Sequence, residues 1–103
     1  MATKQNKKEK DLRYKTVKVL IEERDIKTFR EIFDYIPRSV VYSDLGINYT
    51  RFINLVKHTE DFTLKELIMM SKHIGTDPKP VIDMAYDQYL IDNKAKIKGG
   101  GQG

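Results

Sequence analysis

The sequence predicts an all-α fold, a compact bundle of five to six short helices, and three observations support this. Two Thr-x-x-Glu patterns, Thr28–Glu31 and Thr63–Glu66, match the capping box that opens a helix. Apolar residues recur at helical spacing in the segments around these patterns. No stretch alternates apolar and polar residues between hairpin turn signals, which argues against a β-sheet.

Six helical segments are predicted, at about residues 12–24, 29–36, 38–45, 49–58, 64–74 and 78–92. Pro37 ends the second segment because the residue before a proline avoids the helical conformation. Gly46 and Gly75 are placed to end helices with positive φ, and Asn48 suits the N-cap of the helix after the turn. The expected inward positions include Leu12, Val17, Leu20, Ile21, Phe29, Ile32, Phe33, Ile36, Val41, Leu45, Phe52, Leu55, Val56, Leu64, Leu67, Ile68, Ser71, Ile74, Val81 or Ile82, Ala85, Tyr89 and Leu90.

The composition indicates one globular domain. The chain has 103 residues, which suits a single core. It contains no cysteine, which excludes disulfides, thiolate catalysis and Cys-based metal sites. The longest apolar run, Leu67–Met70, is far shorter than the roughly 20 residues of a membrane span. With no secretory signal pattern either, we expect a cytoplasmic protein without a membrane partner.

Positive charge is concentrated near the N-terminus, although the net charge is only +4. Residues 1–10 are too polar to offset the entropy of ordering, so we expect a disordered basic arm there. Such an arm attracts polyanions without reading sequence, or serves only to keep the chain in solution. Residues 94–103 are rich in Lys and Gly and predict a flexible tail, which leaves 11–93 as the folded domain.

The segments at 38–45 and 49–58, joined by Gly46-Ile47-Asn48, form a helix-turn-helix pattern. The residues that carry a family likeness are Leu45-Gly46-Ile47-Asn48, Phe52, Leu55, Phe62-Thr63, Leu67, Ser71, Ile74 and Gly75. Together they resemble the lambda-repressor/Cro (Xre-type) helix-turn-helix DNA-binding domain. The wider pattern from Ile26 to Gly46 also resembles small regulators of the Bacteroides group. The resemblance implies a lambda-repressor-like bundle whose second motif helix enters the major groove of duplex DNA.

The same resemblance implies a set of DNA-binding residues around the start of that helix. They are Arg38, Ser39, Asn48, Tyr49, Thr50, Arg51, Asn54 and Lys57. Arg51 would read a guanine edge and Asn54 an adenine edge, each contact worth roughly 1–3 kcal/mol of discrimination. Thr50 or Tyr49 would touch a thymine methyl or a phosphate, and Arg38, Ser39 and Asn48 would donate to phosphates.

Five of these eight residues have an alternative role. Arg51 and Asn54 could be ordinary solvated residues, and Lys57 is more simply part of a solvated face. Tyr49 could pack over a neighbouring helix. Arg38 could pair with Asp34 or Asp44 instead of meeting a phosphate, although the family often has a phosphate-binding Gln there.

One position departs from the family pattern. The family usually has Ala four positions before the turn glycine, and here that position is Tyr42. A side chain of this size is expected to alter the packing of the two motif helices.

The sequence therefore predicts a double-stranded DNA-binding transcriptional regulator. It is expected to act as a homodimer, because one short module makes few contacts. Tyr86 and Tyr89 could form the dimer surface or complete the core. The rival prediction is an all-α protein-interaction module, or an antitoxin that combines both roles. We expect no enzyme activity and no cofactor, because no nucleophile with a base is evident, and His58 and His73 match no metal-ligand spacing.

Overall fold

Residues 11–96 are described by the structure, a computed structural model. Within this range the chain forms α1 (Arg13–Glu22), a first 3₁₀ helix (Phe29–Asp34), α2 (Arg38–Leu45), α3 (Tyr49–Lys57), a second 3₁₀ helix (Thr59–Asp61), α4 (Leu64–Ile74) and α5 (Pro78–Lys96). No strand occurs in this range, so the predicted all-α class is confirmed. The predicted basic arm at 1–10 and most of the predicted tail lie outside the described residues. Residues 94–96 do not belong to a tail, because α5 continues through them.

The first helix is shorter than predicted and faces the core differently. It begins at Arg13, and Leu12, expected to be inward, lies before its first turn with 79% of its surface exposed. Tyr14, Val17 and Ile21 are the buried positions, at the i, i+3 and i+7 spacing of one helix face. Arg24, with a φ of 64°, adopts a left-handed conformation after the helix ends.

The second segment is a 3₁₀ helix, although the spacing of its apolar residues suggested an ordinary helix. The Glu31 carboxylate accepts the Thr28 N–H at 2.9 Å, and the Glu31 N–H reaches the Thr28 carbonyl oxygen at 3.2 Å. Residues three apart eclipse one another in this geometry, so Phe29 and Ile32 both point to the core. A short element can therefore bury its apolar residues within six positions.

An aromatic cluster forms the centre of the core beneath the helix-turn-helix. Phe52 of α3 is fully buried, and its ring centroid lies 5.6 Å from Phe33 and 6.3 Å from Phe62, in edge-to-face arrangements. Phe62 meets Phe29 at 5.3 Å in the same way. Such pairs contribute about 0.5–1.5 kcal/mol each beyond their buried area. This cluster fixes the inward face of α3 and so determines which residues that helix presents to solvent.

The last two helices cover the remaining core, and on both of them the buried positions differ in part from those predicted. On α4, Ser71 and Ile74 are buried as predicted, and Met70 is buried without having been predicted. Leu64 is 59% exposed, because it begins the helix and the inward face meets the core only further along. On α5, Leu90 is 39% exposed because it comes nine residues after the buried Val81, which places it on the opposite side.

None of the helices between residues 11 and 96 has the length and apolar character needed to cross a membrane.

Candidate nucleic-acid interface

The turn between α2 and α3 is built on a left-handed glycine. Gly46 has φ 72° and ψ 29°, and its N–H donates to Ser43 O at 3.1 Å while the Ile47 N–H donates to Tyr42 O at 3.0 Å. This pair of bonds is a Schellman motif, which ends a helix and turns the chain sharply. Within the described part of the chain, no heavy atom lies within 4 Å of the position that a Cβ would take. Glycine is therefore required for its backbone conformation and not for space.

Asn48 caps the start of α3 as predicted. Its side-chain oxygen accepts the Arg51 N–H at 2.8 Å, which satisfies one of the four free N–H groups at the helix start. The Asn48 amide group still offers donors at the point where the helix dipole favours an anion. The residue is exposed, so a phosphate oxygen could approach it.

All eight predicted DNA-binding residues are exposed. Thr50, Asn54 and Lys57 follow one another at i, i+4 and i+7, so they form one polar stripe along α3. Phe52, Leu55 and Val56 occupy the buried side of the same helix. The structure thus brings three of the predicted residues together on one face, the arrangement a groove-reading helix needs.

Arg51 leaves this stripe and pairs with the next helix. Its Nη2 atom donates to Glu66 Oε2 at 2.6 Å, and the two side chains are 44% and 16% exposed. The other oxygen of Glu66 accepts the Thr63 N–H at 2.9 Å, and Thr63 Oγ1 accepts the Glu66 N–H at 3.0 Å, so the predicted capping box of α4 is confirmed. Glu66 therefore joins the start of α3 to the start of α4.

At the start of α2, Arg38 and Ser39 are exposed. The Arg38 guanidinium lies 5.6 Å from the centroid of the Phe33 ring, a cation–π contact. It forms no ion pair with another described residue, so neither Asp34 nor Asp44 neutralises it within residues 11–96. Its charge thus faces solvent near the motif.

Asp44 instead accepts a hydrogen bond from Tyr14 Oη at 2.8 Å. Burial, together with the neighbouring Asp44 carboxylate, raises the pKa of Tyr14 above its usual value of 10.0. The tyrosine therefore remains a proton donor at neutral pH. The bond ties the end of α2 to α1 and helps to set the position of the motif.

Tyr42, the departure from the family pattern, lies between the two motif helices. Its ring centroid is 5.7 Å from that of Phe52 and 5.9 Å from that of Tyr49. The ring is only partly buried and packs against the edge of the core. The larger residue is thus accommodated by an edge-to-face contact with Tyr49 and a tilted contact with Phe52 on α3, and Tyr49 remains 60% exposed beside it.

The end of α3 is held by Arg30, a residue that the sequence did not single out. Its Nε donates to Val56 O at 2.7 Å and its Nη2 to Lys57 O at 2.9 Å. The same guanidinium forms a two-point ion pair with Asp92 of α5, at 2.7 and 2.6 Å. Gln88, also on α5 and buried, donates to Asp92 and accepts the Arg30 N–H. This cluster, the Arg30 clamp, fixes the last carbonyls of α3 to the last helix.

Local sequence signals could find only part of this arrangement. The capping pattern placed Glu66 at a helix start, but nothing near it in sequence identified Arg51 as its partner. Arg30 gave no signal, because its partner Asp92 lies 62 positions away. Among residues 11–96, no group of three or more His, Cys, Asp or Glu side chains is placed to hold a metal ion. His73 stacks on Tyr14 with centroids 5.8 Å apart.

Comparison of this chain with protein-family models, with curated proteins and with solved structures finds no match.

Proposed function

We propose that this protein binds double-stranded DNA in a sequence-specific manner and regulates transcription. The observation that carries the proposal is the pair α2 and α3 with its left-handed Gly46 turn and its Asn48 cap. This pair leaves the start of α3 and the stripe Thr50, Asn54 and Lys57 exposed. The resemblance of the motif to lambda-repressor/Cro domains supports the same conclusion.

In this proposal α3 enters the major groove, which at about 12 Å is wide enough for one helix with its side chains. Asn54 reads an adenine edge and Thr50 contacts a thymine methyl or a phosphate. Arg38, Ser39 and the Asn48 amide donate to phosphates on the flank, where such contacts set the register of the protein on the duplex. The Phe52 anchor holds the opposite side of α3 in the core.

The proposed test is selection from a random duplex pool with the full chain. A single enriched motif is expected, and a pool that stays random at every salt concentration would contradict the proposal. Asn54→Ala should then lose preference at one base pair. Lys8→Ala, in the basic arm, should only reduce the salt dependence, by a slope of about 0.9 if one phosphate contact is lost.

We further propose that DNA is bound by a homodimer, because a single module of this size makes few base contacts. Tyr86, Leu90 and Ile91 of α5 are 60%, 39% and 50% exposed. Sedimentation should show a concentration-dependent dimer that Leu90→Lys converts to a monomer. Leu64→Lys is the matched control, since it changes an equally apolar, exposed residue on α4, and it should leave the dimer intact. Equal effects of both changes would refute this choice of surface.

A protein partner is the second candidate, and the exposed aromatic ring of Tyr49 favours it. Aromatic residues are enriched at the centre of protein–protein interfaces. In this case α3 would bind a partner through Tyr49, and Tyr49→Ala would abolish partner binding. An antitoxin would combine this contact with DNA binding. If the chain selects no DNA motif, the protein-partner proposal replaces the DNA-binding proposal.

A further inference from the structure

The Arg51 side chain offers more donors than its ion pair uses. A guanidinium carries five N–H groups in a fixed plane, and reading a guanine edge uses two of them. Among residues 11–96, only one Nη2 donor of Arg51 is engaged, by Glu66 Oε2 at 2.6 Å. The side chain remains 44% exposed. The ion pair therefore restrains the guanidinium at one nitrogen while leaving enough donors for a base.

Glu66 is itself held in place. Its Oε1 accepts the Thr63 N–H at 2.9 Å, and its own N–H donates to Thr63 Oγ1 at 3.0 Å. The carboxylate lies at the start of α4, where the helix dipole stabilises negative charge. Because both ends of the residue are anchored in the capping box, Glu66 offers Arg51 a fixed acceptor.

We propose that Glu66 is a positioning residue that orients Arg51 for base reading and so sets the sequence preference at one operator position. This inference rests on the proposed DNA-binding function and gives Glu66 a role although it does not itself contact a base. An Arg side chain loses considerable rotamer freedom when it is immobilised on a base. A side chain already restrained by Glu66 loses less of that freedom on binding.

The ion pair also affects binding that is independent of sequence. A guanidinium paired with a carboxylate adds little net positive charge to the surface, so it attracts a phosphate weakly. Without Glu66 the same guanidinium would be a mobile, unpaired cation, which suits a phosphate better than one particular base. Loss of Glu66 should therefore lower sequence preference and raise affinity for unrelated DNA, two changes of opposite sign.

The chain supplies a matched control for this residue. Glu31 has the equivalent position in the Thr28–Glu31 pattern and accepts the Thr28 N–H, also at 2.9 Å. It forms no ion pair with any residue between 11 and 96. Glu31→Gln and Glu66→Gln therefore remove the same charge from the same position of a Thr-x-x-Glu pattern, which begins a 3₁₀ helix in one case and α4 in the other. Only Glu66→Gln removes the partner of Arg51.

The experiment is duplex-pool selection with the full-length wild type, Glu66→Gln, Glu31→Gln and Arg51→Ala, after circular dichroism has shown that each variant folds. Arg51→Ala identifies the base pair that Arg51 reads. At that pair, Glu66→Gln should reduce discrimination by about twofold to tenfold, the range expected for immobilising one long side chain. On a shuffled duplex, Glu66→Gln should bind more tightly than the wild type, and its salt slope should steepen by about 0.9. Glu31→Gln should match the wild type in base preference.

Three results would overturn the inference. One is full discrimination by Glu66→Gln at the base pair that Arg51→Ala affects, and another is an equal loss in Glu31→Gln. The third is an Arg51→Ala variant that keeps the entire motif. If Glu66→Gln does not fold, Arg51→Lys replaces it, because lysine keeps the charge and lacks the planar fork. This variant should weaken the base preference at the same base pair, and an unchanged preference would equally overturn the inference. A wild type that enriches no motif refutes the proposed function itself, which separates the two failures.

Discussion

The Arg30 clamp provides a direct test of how α3 is held, through the change Arg30→Ala. Four hydrogen bonds of the side chain are lost, two to the carbonyls of Val56 and Lys57 and two to the Asp92 carboxylate. The Ala variant leaves the two carbonyls without this partner at the end of the helix. It also leaves Asp92 with Gln88 as its one donor among the described residues. The change should therefore destabilise the contact between α3 and α5.

The expected cost is about 2 to 3 kcal/mol. Each carbonyl bond contributes about 1 kcal/mol. The Asp92 pair is 33% and 23% exposed, so solvent screening reduces its share to about 1 kcal/mol or less. Asp92→Asn keeps the carbonyl bonds and should cost only about 1 kcal/mol. The exposed pair Lys79–Asp83, with side chains 82% and 57% exposed, serves as the control. Lys79→Ala should change stability by less than about 0.5 kcal/mol.

Urea unfolding followed by circular dichroism measures these differences directly. The order of destabilisation should be Arg30→Ala, then Asp92→Asn, then Lys79→Ala. For a domain of this size, Arg30→Ala should lower Tm by roughly 10 to 20 °C. If Asp92→Asn costs as much as Arg30→Ala, the carbonyl bonds contribute nothing and the clamp does not cap α3. A cost for Arg30→Ala no larger than that of the control would refute the clamp altogether.

Two further predictions concern the same helices. Gly46→Ala should lower the free energy of unfolding by about 1–2 kcal/mol, because a Cβ meets no described atom there and only the left-handed backbone is penalised. Gly46→Asn should lower it less, because asparagine tolerates this conformation better. Equal losses of the two variants in thermal unfolding would contradict this prediction. Hydrogen bonds from Arg30, and more weakly from Gln88, lower the pKa of Asp92 below its usual value of 3.8. The ionised carboxylate thus adds stability that is present above that value and is lost as the pH falls through the lower, folded-state pKa. The difference in unfolding free energy between the wild type and Asp92→Asn should shrink from pH 7 to pH 3, and a constant difference would rule out this linkage.

Features encoded by adjacent residues were predictable from the sequence. The Gly46 turn, the Asn48 cap and the capping box at Thr63 depend on interactions within a few positions, and the structure contains all three. The range Arg38–Leu45 was predicted with the bounds that α2 has. Hydrophobic spacing also identified the buried side of α3, because Phe52, Leu55 and Val56 follow the helical period.

Features that depend on the ends of elements were not predictable in the same way. Leu12 and Leu64 have the correct spacing for inward positions. However, Leu12 lies just before α1 and Leu64 is the first residue of α4, where the neighbouring elements do not cover them. Periodicity states which side of a helix a residue is on, and it does not state how far along that side the core extends. Leu90 is a different case, because it was grouped with Val81 and Ala85, which are buried as predicted, although it comes nine residues after Val81 and so lies on the other side of the helix.

The candidate site likewise contains features that the sequence predicts and features that it does not. A polar residue on an exposed face is predictable from sequence, but its partner is not when the partner comes from another helix, as with Arg51 and Glu66, 15 positions apart. Thr50, Asn54 and Lys57 donate no side-chain hydrogen bond to another described residue. Their polar groups are thus available to a ligand without breaking an existing contact, and any energy they gain on binding is not offset by an internal loss. Arg51 differs, since one of its donors is already engaged by Glu66, and in the proposed arrangement it keeps this pair and reads a base with its remaining donors.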